Sequence, residues 1–110
     1  MVPPRLPAPA TLTRRYFTLA EGDRGEYLAQ FTDDAVVEDE GRTHHGIAAI
    51  RDWWGSVPEV SYRVVDVDHT GTSHRATAQI SGSFPGSPVT LVLTLAFVGD
   101  KITRLTIRPV

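Results

Sequence analysis

The chain has 110 residues, which suits one domain with a single hydrophobic core, and its formal net charge is −2. Its ten arginines and one lysine are scattered, so no basic stripe predicts binding to nucleic acid or to an anionic membrane surface. The absence of cysteine excludes disulfides and thiolate chemistry, and no apolar run reaches the ~18 residues that cross a membrane.

The segment 1–10 holds four prolines and lacks the hydrophobic stretch of a secretory signal. We therefore expect a flexible, extended arm here and a cytoplasmic location. The remaining residues, 11–110, are expected to form one domain.

The N-terminal half has apolar residues at helical spacing in three places. This spacing predicts a first helix from Thr11 or Thr13 to Glu21, a second over 25–31 and a third over 46–54. Between the second and third helices we expect a turn at 32–34 and two short strands, 35–39 and 43–45.

The C-terminal half alternates apolar and polar residues, which is typical of strands with one buried face. It predicts four strands, over 60–68, 74–84, 89–98 and 101–109, with a turn at Gly71 after the first of them. A sheet with one apolar face needs a cover, and the three amphipathic helices supply it. The sequence therefore predicts an α+β domain.

Two segments carry a family resemblance: Phe31–Asp39, which reads FTDDAVVED, and Gly46–Trp54, which reads GIAAIRDWW. Together they resemble the nuclear transport factor 2-like superfamily, in its SnoaL-like and ketosteroid-isomerase-like (polyketide cyclase) branch. The resemblance implies a cone-shaped, curved antiparallel sheet covered by the three helices, with an open end that receives a small hydrophobic molecule.

The resemblance also implies which side chains face the interior of the cone. On the strands these are the members of one alternating phase, together with Asp39 and Ile107, and on the helices they are the large aromatic residues. The implied substrate-binding residues are Phe31, Val37, Trp53, Trp54, Tyr62, Ala78, Ile80, Leu91, Leu93, Leu95, Phe97 and Leu105.

Asp39 closes the strand 35–39, and the resemblance implies that it occupies the position of the general base of ketosteroid isomerases. A carboxylate in an apolar pocket is poorly solvated, which makes it a stronger base that shuttles a proton between carbon atoms beside a carbonyl group. The alternative is structural: Asp39 caps a turn or pairs with Arg42.

A base of this kind needs hydrogen-bond donors for the developing oxyanion. By the resemblance, the family's second acid falls at Leu93, which cannot donate, and its donor tyrosine falls at Arg15. Tyr16 is the next residue, a rotation of roughly 100° around a helix. A steroid isomerase in the strict sense is therefore not expected. Substitute donors are Tyr16, Tyr62, His44 and the indole N–H groups of Trp53 and Trp54.

His44 and His45 are neighbours, and neighbouring side chains on a strand point to opposite faces. At most one of them faces the interior, and we take His44 as a candidate polar or proton-donating group. No His-x-His or His-x₃-His spacing supports a metal site, and there is no glycine-rich phosphate loop. We therefore expect neither a metal nor a cofactor.

Three functions remain open. The first is a cofactor-free isomerase or aldol-type cyclase, with Asp39 as base and with Tyr16 or His44 polarising the substrate oxygen. The second is a binding module that does no chemistry. The third is a structural or dimerisation domain whose cone is filled by its own side chains. In each case the weakly charged outer face of the long strands predicts a homodimer with the sheets face to face.

Overall fold

A computed structural model describes residues 9–70 and 73–110 of the chain. Within them lie three helices and six strands, in the order helix–helix–strand–strand–helix and then four strands. The elements are α1 (Pro9–Ala20), α2 (Arg24–Ala29), β1 (Phe31–Asp39), β2 (Arg42–His45), α3 (Gly46–Ser56), β3 (Val60–Thr70), β4 (Ser73–Gly82), β5 (Val89–Val98) and β6 (Lys101–Pro109).

The six strands form one curved sheet in the order β2-β1-β6-β5-β4-β3, with the three helices packed against it. This confirms the predicted α+β class and the helical cover. The sheet is mixed rather than wholly antiparallel, because β1 pairs in parallel with β6 while the other neighbours are antiparallel. Alternation along a strand fixes which face each residue occupies, but it does not fix which distant strand becomes the neighbour.

The N-terminal helix begins earlier than expected. Pro9 and Ala10 belong to α1 rather than to an extended arm. Proline is tolerated in the first turn of a helix, where its missing N–H would have no intrahelical partner. The rest of the expected arm, 1–8, and the turn expected at Gly71 lie outside the described residues.

The turn predicted at 32–34 is instead part of β1, and the second helix ends at Ala29 rather than at Phe31. Phe31 already pairs with Ile102 of β6, and the register shifts before Val36. The backbone N–H of Ile102 donates to the carbonyl of Gln30 at 2.7 Å. Thr32, Asp33 and Asp34, whose composition predicted a turn, therefore belong to an irregular part of β1.

Smaller differences, of one or two residues, occur at several other element ends. The third helix continues through Gly55 to Ser56, whose hydroxyl donates to the carbonyl of Trp53 at 2.7 Å. The fourth strand ends at Gly82 rather than at Phe84.

The core lies between the concave face of the sheet and the helices. Tyr16, Tyr27, Ile50, Leu95 and Leu105 are among its fully buried side chains. Burying a large apolar side chain contributes about 1.5–3 kcal/mol, so this layer holds the helices against the sheet. In the described part of the chain, no helix combines the length and the hydropathy needed to cross a membrane.

Candidate active site

A cavity of about 180 Å³ lies between the helices and the wide end of the sheet. Its walls are mostly apolar or aromatic, and they come from α1, α3, the ends of β1 and β6, and the strands β3 to β5. The lining residues are Tyr16, Asp39, Glu40, Trp53, Trp54, Val57, Pro58, Val60, Tyr62, Ile80, Phe84, Val89, Leu91, Leu93 and Ile107.

Asp39 is the last residue of β1, and its half-buried carboxylate lines this cavity. Its Oδ2 accepts a hydrogen bond from the indole Nε1 of Trp53 at 3.1 Å. The structural alternative, an ion pair with Arg42, does not form. Among the described residues, the ion pairs are those of Glu38, on the opposite face of β1, with Arg104 at 3.3 Å and Arg108 at 3.2 Å.

Tyr16 lines the cavity from α1, so the inward face of this helix does present the tyrosine. Its hydroxyl lies 2.9 Å from the hydroxyl of Tyr27, which is also buried. Burial raises the pKa of Tyr16 and of Tyr27 well above the ordinary value for tyrosine, and the charge of Asp39 adds to the shift. Both phenols therefore keep their protons, and the pair can donate one hydrogen bond internally and another into the cavity.

Tyr62 of β3 is a second phenol in the wall, and it is only half-buried. Burial, with smaller contributions from the charges of Glu21 and Asp39, raises the pKa of Tyr62 to about 12. Its ring packs against Phe17 with centroids 5.7 Å apart. Tyr62 is thus a neutral O–H donor close enough to Asp39 to sense its charge.

Two tryptophans form the helical wall of the cavity. Trp53 holds Asp39, and Trp54 stacks on Tyr27 with centroids 3.7 Å apart and planes 9° apart. They follow each other on α3, and both line the cavity. Tyr16, Tyr27, Trp53 and Trp54 form one connected aromatic cluster.

The residues expected in the interior fall into two main groups, those that line the cavity and those that are packed in the core. Nine of the residues named from the sequence line the cavity, whereas five of the others are packed in the core away from it. The lining set is Tyr16, Asp39, Trp53, Trp54, Tyr62, Ile80, Leu91, Leu93 and Ile107. The core set is Phe31, Val37, Ala78, Leu95 and Leu105.

Two further candidates lie elsewhere. Phe97 is half-buried and packs against His74 at a centroid distance of 5.4 Å. His44, on β2, is half-buried against the ring of Trp53, with centroids 5.8 Å apart, and it is not part of the cavity lining. It contacts the indole that holds Asp39 rather than the cavity itself. In residues 9–70 and 73–110, no three side chains of His, Asp or Glu come together as a metal site.

Sequence reasoning missed the mouth of the cavity. The lining residues that it missed lie at strand ends and in connecting loops, where periodicity carries no signal: Glu40, Val57, Pro58, Val60, Phe84 and Val89. The available signal was the placement of apolar residues directly beside turn residues, as at Val57-Pro58 and Phe84-Pro85.

Comparison with protein families matches residues 13–105 to the SnoaL-like domain. A candidate polyketide cyclase from Sinorhizobium meliloti is 33% identical over 89% of this chain and 94% of its own, with a TM-score of 0.84. A candidate ketosteroid isomerase from Kribbella flavida is 20% identical over 88% of this chain and 73% of its own, with a TM-score of 0.76.

A nuclear transport factor 2-like protein of unknown function from Cytophaga hutchinsonii is similar in fold, with a TM-score of 0.81. It is 9% identical over 99% of this chain and 95% of its own. Comparison with curated proteins gave no match.

Proposed function

Because the chain belongs to the SnoaL-like domain family, we propose that its cavity binds a small hydrophobic carbonyl compound and that Asp39 removes a proton beside the carbonyl group. The product is an isomer or a cyclised compound, and the reaction uses no cofactor. Proteins of this fold carry many functions, so the proposal depends on the site and not on the fold.

The observation that carries the proposal is the placement of Asp39. Its carboxylate lines a cavity that is otherwise largely apolar, and one of its oxygens is held by Trp53. Its other oxygen, Oδ1, has no hydrogen-bond partner among the described residues. An acceptor oriented in this way beside an apolar chamber suits a general base.

The reaction follows from the groups around the cavity. A carboxylate oxygen of Asp39 takes the proton from the carbon next to the carbonyl, and the C–H electron pair moves to form the enolate. The hydroxyls of Tyr16 and Tyr62 donate hydrogen bonds to the enolate oxygen. For isomerisation of an unsaturated ketone, Asp39 then returns the proton to a different carbon of the dienolate. For cyclisation, the enolate carbon attacks a second carbonyl of the same molecule, whose C=O electron pair moves to oxygen, and Asp39 gives its proton to the resulting alkoxide.

The size of the cavity limits the substrate. Drug-sized ligands occupy pockets of roughly 300–1,000 Å³, whereas a 150 Å³ apolar cavity is known to hold benzene. At about 180 Å³, the cavity suits a compound with one ring, and a tetracyclic steroid would extend out of the mouth.

Hydrogen exchange tests the proposal without knowledge of the natural substrate. Cyclohexanone is incubated with the protein in heavy water, and proton NMR follows the loss of the signal beside the carbonyl. We expect the protein to accelerate exchange and Asp39→Asn to abolish the acceleration. Asp34→Asn, which removes an exposed carboxylate of β1 outside the cavity, is the matched control. Equal rates for Asp39→Asn and the unchanged protein would overturn the proposal.

A second candidate function is binding without chemistry. Leu93 in the cavity wall and the bond between Tyr16 and Tyr27 favour it, because they reduce the donors free to stabilise an enolate. Binding of cyclohexanone, detected by tryptophan fluorescence, with no accelerated exchange would select this alternative.

We also propose that the protein is a homodimer joined through the outer face of its sheet. The face carries small polar and aliphatic side chains, among them Thr77, Val92, Thr94 and Thr106, which are only half-exposed in the single chain. A two-fold pairing of this face would bury these side chains next to Arg75 and to the ion pairs that Glu38 forms with Arg104 and Arg108 on the same face.

A further inference from the structure

The lining of the cavity is unbalanced in charge. It includes two carboxylates, those of Asp39 and Glu40, and no side chain of Lys, Arg or His among the described residues. The aromatic rings of Trp53, Trp54, Tyr62 and Phe84 make up much of the wall. The faces of aromatic rings carry negative potential and attract cations, most strongly where water is excluded.

The two carboxylates lie at different depths. Asp39 is half-buried and bonded to Trp53, whereas Glu40 is exposed at the mouth. Glu40 forms no hydrogen bond and no ion pair within the described residues. A ligand that enters the cavity therefore passes a carboxylate that is free to pair with it.

The charges around the mouth do not reverse this imbalance. A neighbouring pocket of about 230 Å³ shares the wall of Trp54 and Tyr62, and it contains the acids Glu21 and Glu59 against one base, Arg24. Arg42 lies opposite Asp39 in the β1–β2 pair but is exposed and outside the cavity lining. The cavity lining and this adjoining pocket together contain four acids, Asp39, Glu40, Glu21 and Glu59, against the single base Arg24.

We propose that the ligand of this cavity carries a positively charged nitrogen, as a protonated amine or a quaternary ammonium group, on a compact apolar body. The nitrogen lies at the mouth between Glu40 and the aromatic rings, and the apolar part fills the interior beside Asp39. This inference deepens the proposed function and rests on it in one respect, because the same cavity must be the binding site.

The test compares two molecules that differ in charge alone. Choline and neohexyl alcohol have the same shape, with carbon in place of nitrogen in the alcohol. The chain has two tryptophans and both line the cavity, so tryptophan fluorescence reports on binding directly. Hydrophobic transfer alone favours the alcohol. We expect choline to bind about tenfold more tightly at low ionic strength, and this preference to shrink as salt is added.

Glu40→Gln removes the charge at the mouth and keeps the size of the side chain. We expect it to weaken choline binding about tenfold and to leave the alcohol unaffected. Asp34→Asn makes the same change in net charge outside the cavity and should alter neither affinity.

Equal affinities for the two molecules, or no effect of Glu40→Gln, would overturn the inference. If the alcohol alone binds, the inference fails and the proposed function stands. If neither molecule changes the fluorescence, the inference fails, and the separate exchange assay with cyclohexanone decides whether the proposed function fails with it.

Discussion

Trp53 contributes its one polar atom, Nε1, to the carboxylate of Asp39 at 3.1 Å. A hydrogen bond to a charged group contributes about 1.5–3 kcal/mol net, and here it also fixes the orientation of the carboxylate. The other side of the indole ring contacts His44. Under the proposed function, Trp53 positions the base in addition to being part of the wall.

Trp53→Phe keeps an aromatic ring in place but removes the N–H donor. We expect it to slow the exchange of cyclohexanone protons about tenfold, because Asp39 loses its fixed orientation. Trp54→Phe is the matched control, since Trp54 stacks on Tyr27 and makes no bond to Asp39. Equal losses in the two variants would show that ring volume matters and that the bond does not.

The three tyrosines predict an unusual alkaline titration. Burial raises the pKa of Tyr62 from 10.0 to about 12, and it raises the pKa values of Tyr16 and Tyr27 as well. Below pH 10 both folded and unfolded states keep the protons, so this contribution to stability is fully present. Between pH 10 and 12 only the unfolded state loses them, so stability falls as the pH rises.

Ultraviolet absorbance of the phenolates should therefore show no ionisation near pH 10 while the protein remains folded. In Tyr62→Phe the first step, near pH 12, should disappear. A tyrosine that ionises at its ordinary value in the folded protein would contradict the burial of these hydroxyls.

For single residues, the sequence indicated which residue types face the interior, but it did not indicate which of them line the cavity and which are packed in the core. It indicated Asp39, Tyr16 and both tryptophans as cavity residues, and all four line the cavity. It also named Val37 and Leu95, which are packed in the core, because alternation tells the face of a strand but not the distance from the mouth.

The turn between β1 and β2 is the element that presents the carboxylates. Glu40 and Gly41 both have positive φ, 52° and 77°, as in the two-residue turns that match the twist of a hairpin. Glycine adopts this conformation freely, whereas glutamate is disfavoured there relative to asparagine. A non-glycine residue is thus kept in a strained position at the mouth of the cavity.

Glu40→Asn should stabilise the protein by about 1 kcal/mol, because asparagine tolerates the left-handed conformation. Urea unfolding measures the change. Glu40→Ala removes the same charge without the conformational preference and should give no such gain. An asparagine variant no more stable than the alanine variant would contradict the strain at this turn.

At the scale of elements, the long strands and the helices were predictable because their periodic patterns are long. The irregular part of β1 was not, since Thr32, Asp33 and Asp34 have the composition of a turn and enter the strand through a register shift. The parallel pairing of β1 with β6 could not be predicted from the apolar–polar alternation either, because it joins segments more than sixty residues apart in the chain.

For the whole molecule, the proposed dimer would use the outer face of the sheet as a contact surface, separate from the cavity on the inner face. Val92 lies near the centre of this outer face and is half-exposed. Val92→Lys should give a monomer in analytical ultracentrifugation, since an interface of this kind does not accept an unpaired buried charge. Ala48→Lys, on the exposed side of α3, is the control. A monomeric unchanged protein would rule the dimer out.

The central claim is that the wide end of the cone is hollow, admits a small molecule and places it against Asp39 and the two tryptophans. The indole N–H signals of Trp53 and Trp54, followed by NMR during a titration with cyclohexanone, test this most directly. We predict that both signals move in a saturable way, and that Asp39→Asn shifts the Trp53 signal even before ligand is added. Signals that stay in place up to the solubility limit of the ketone would contradict the claim.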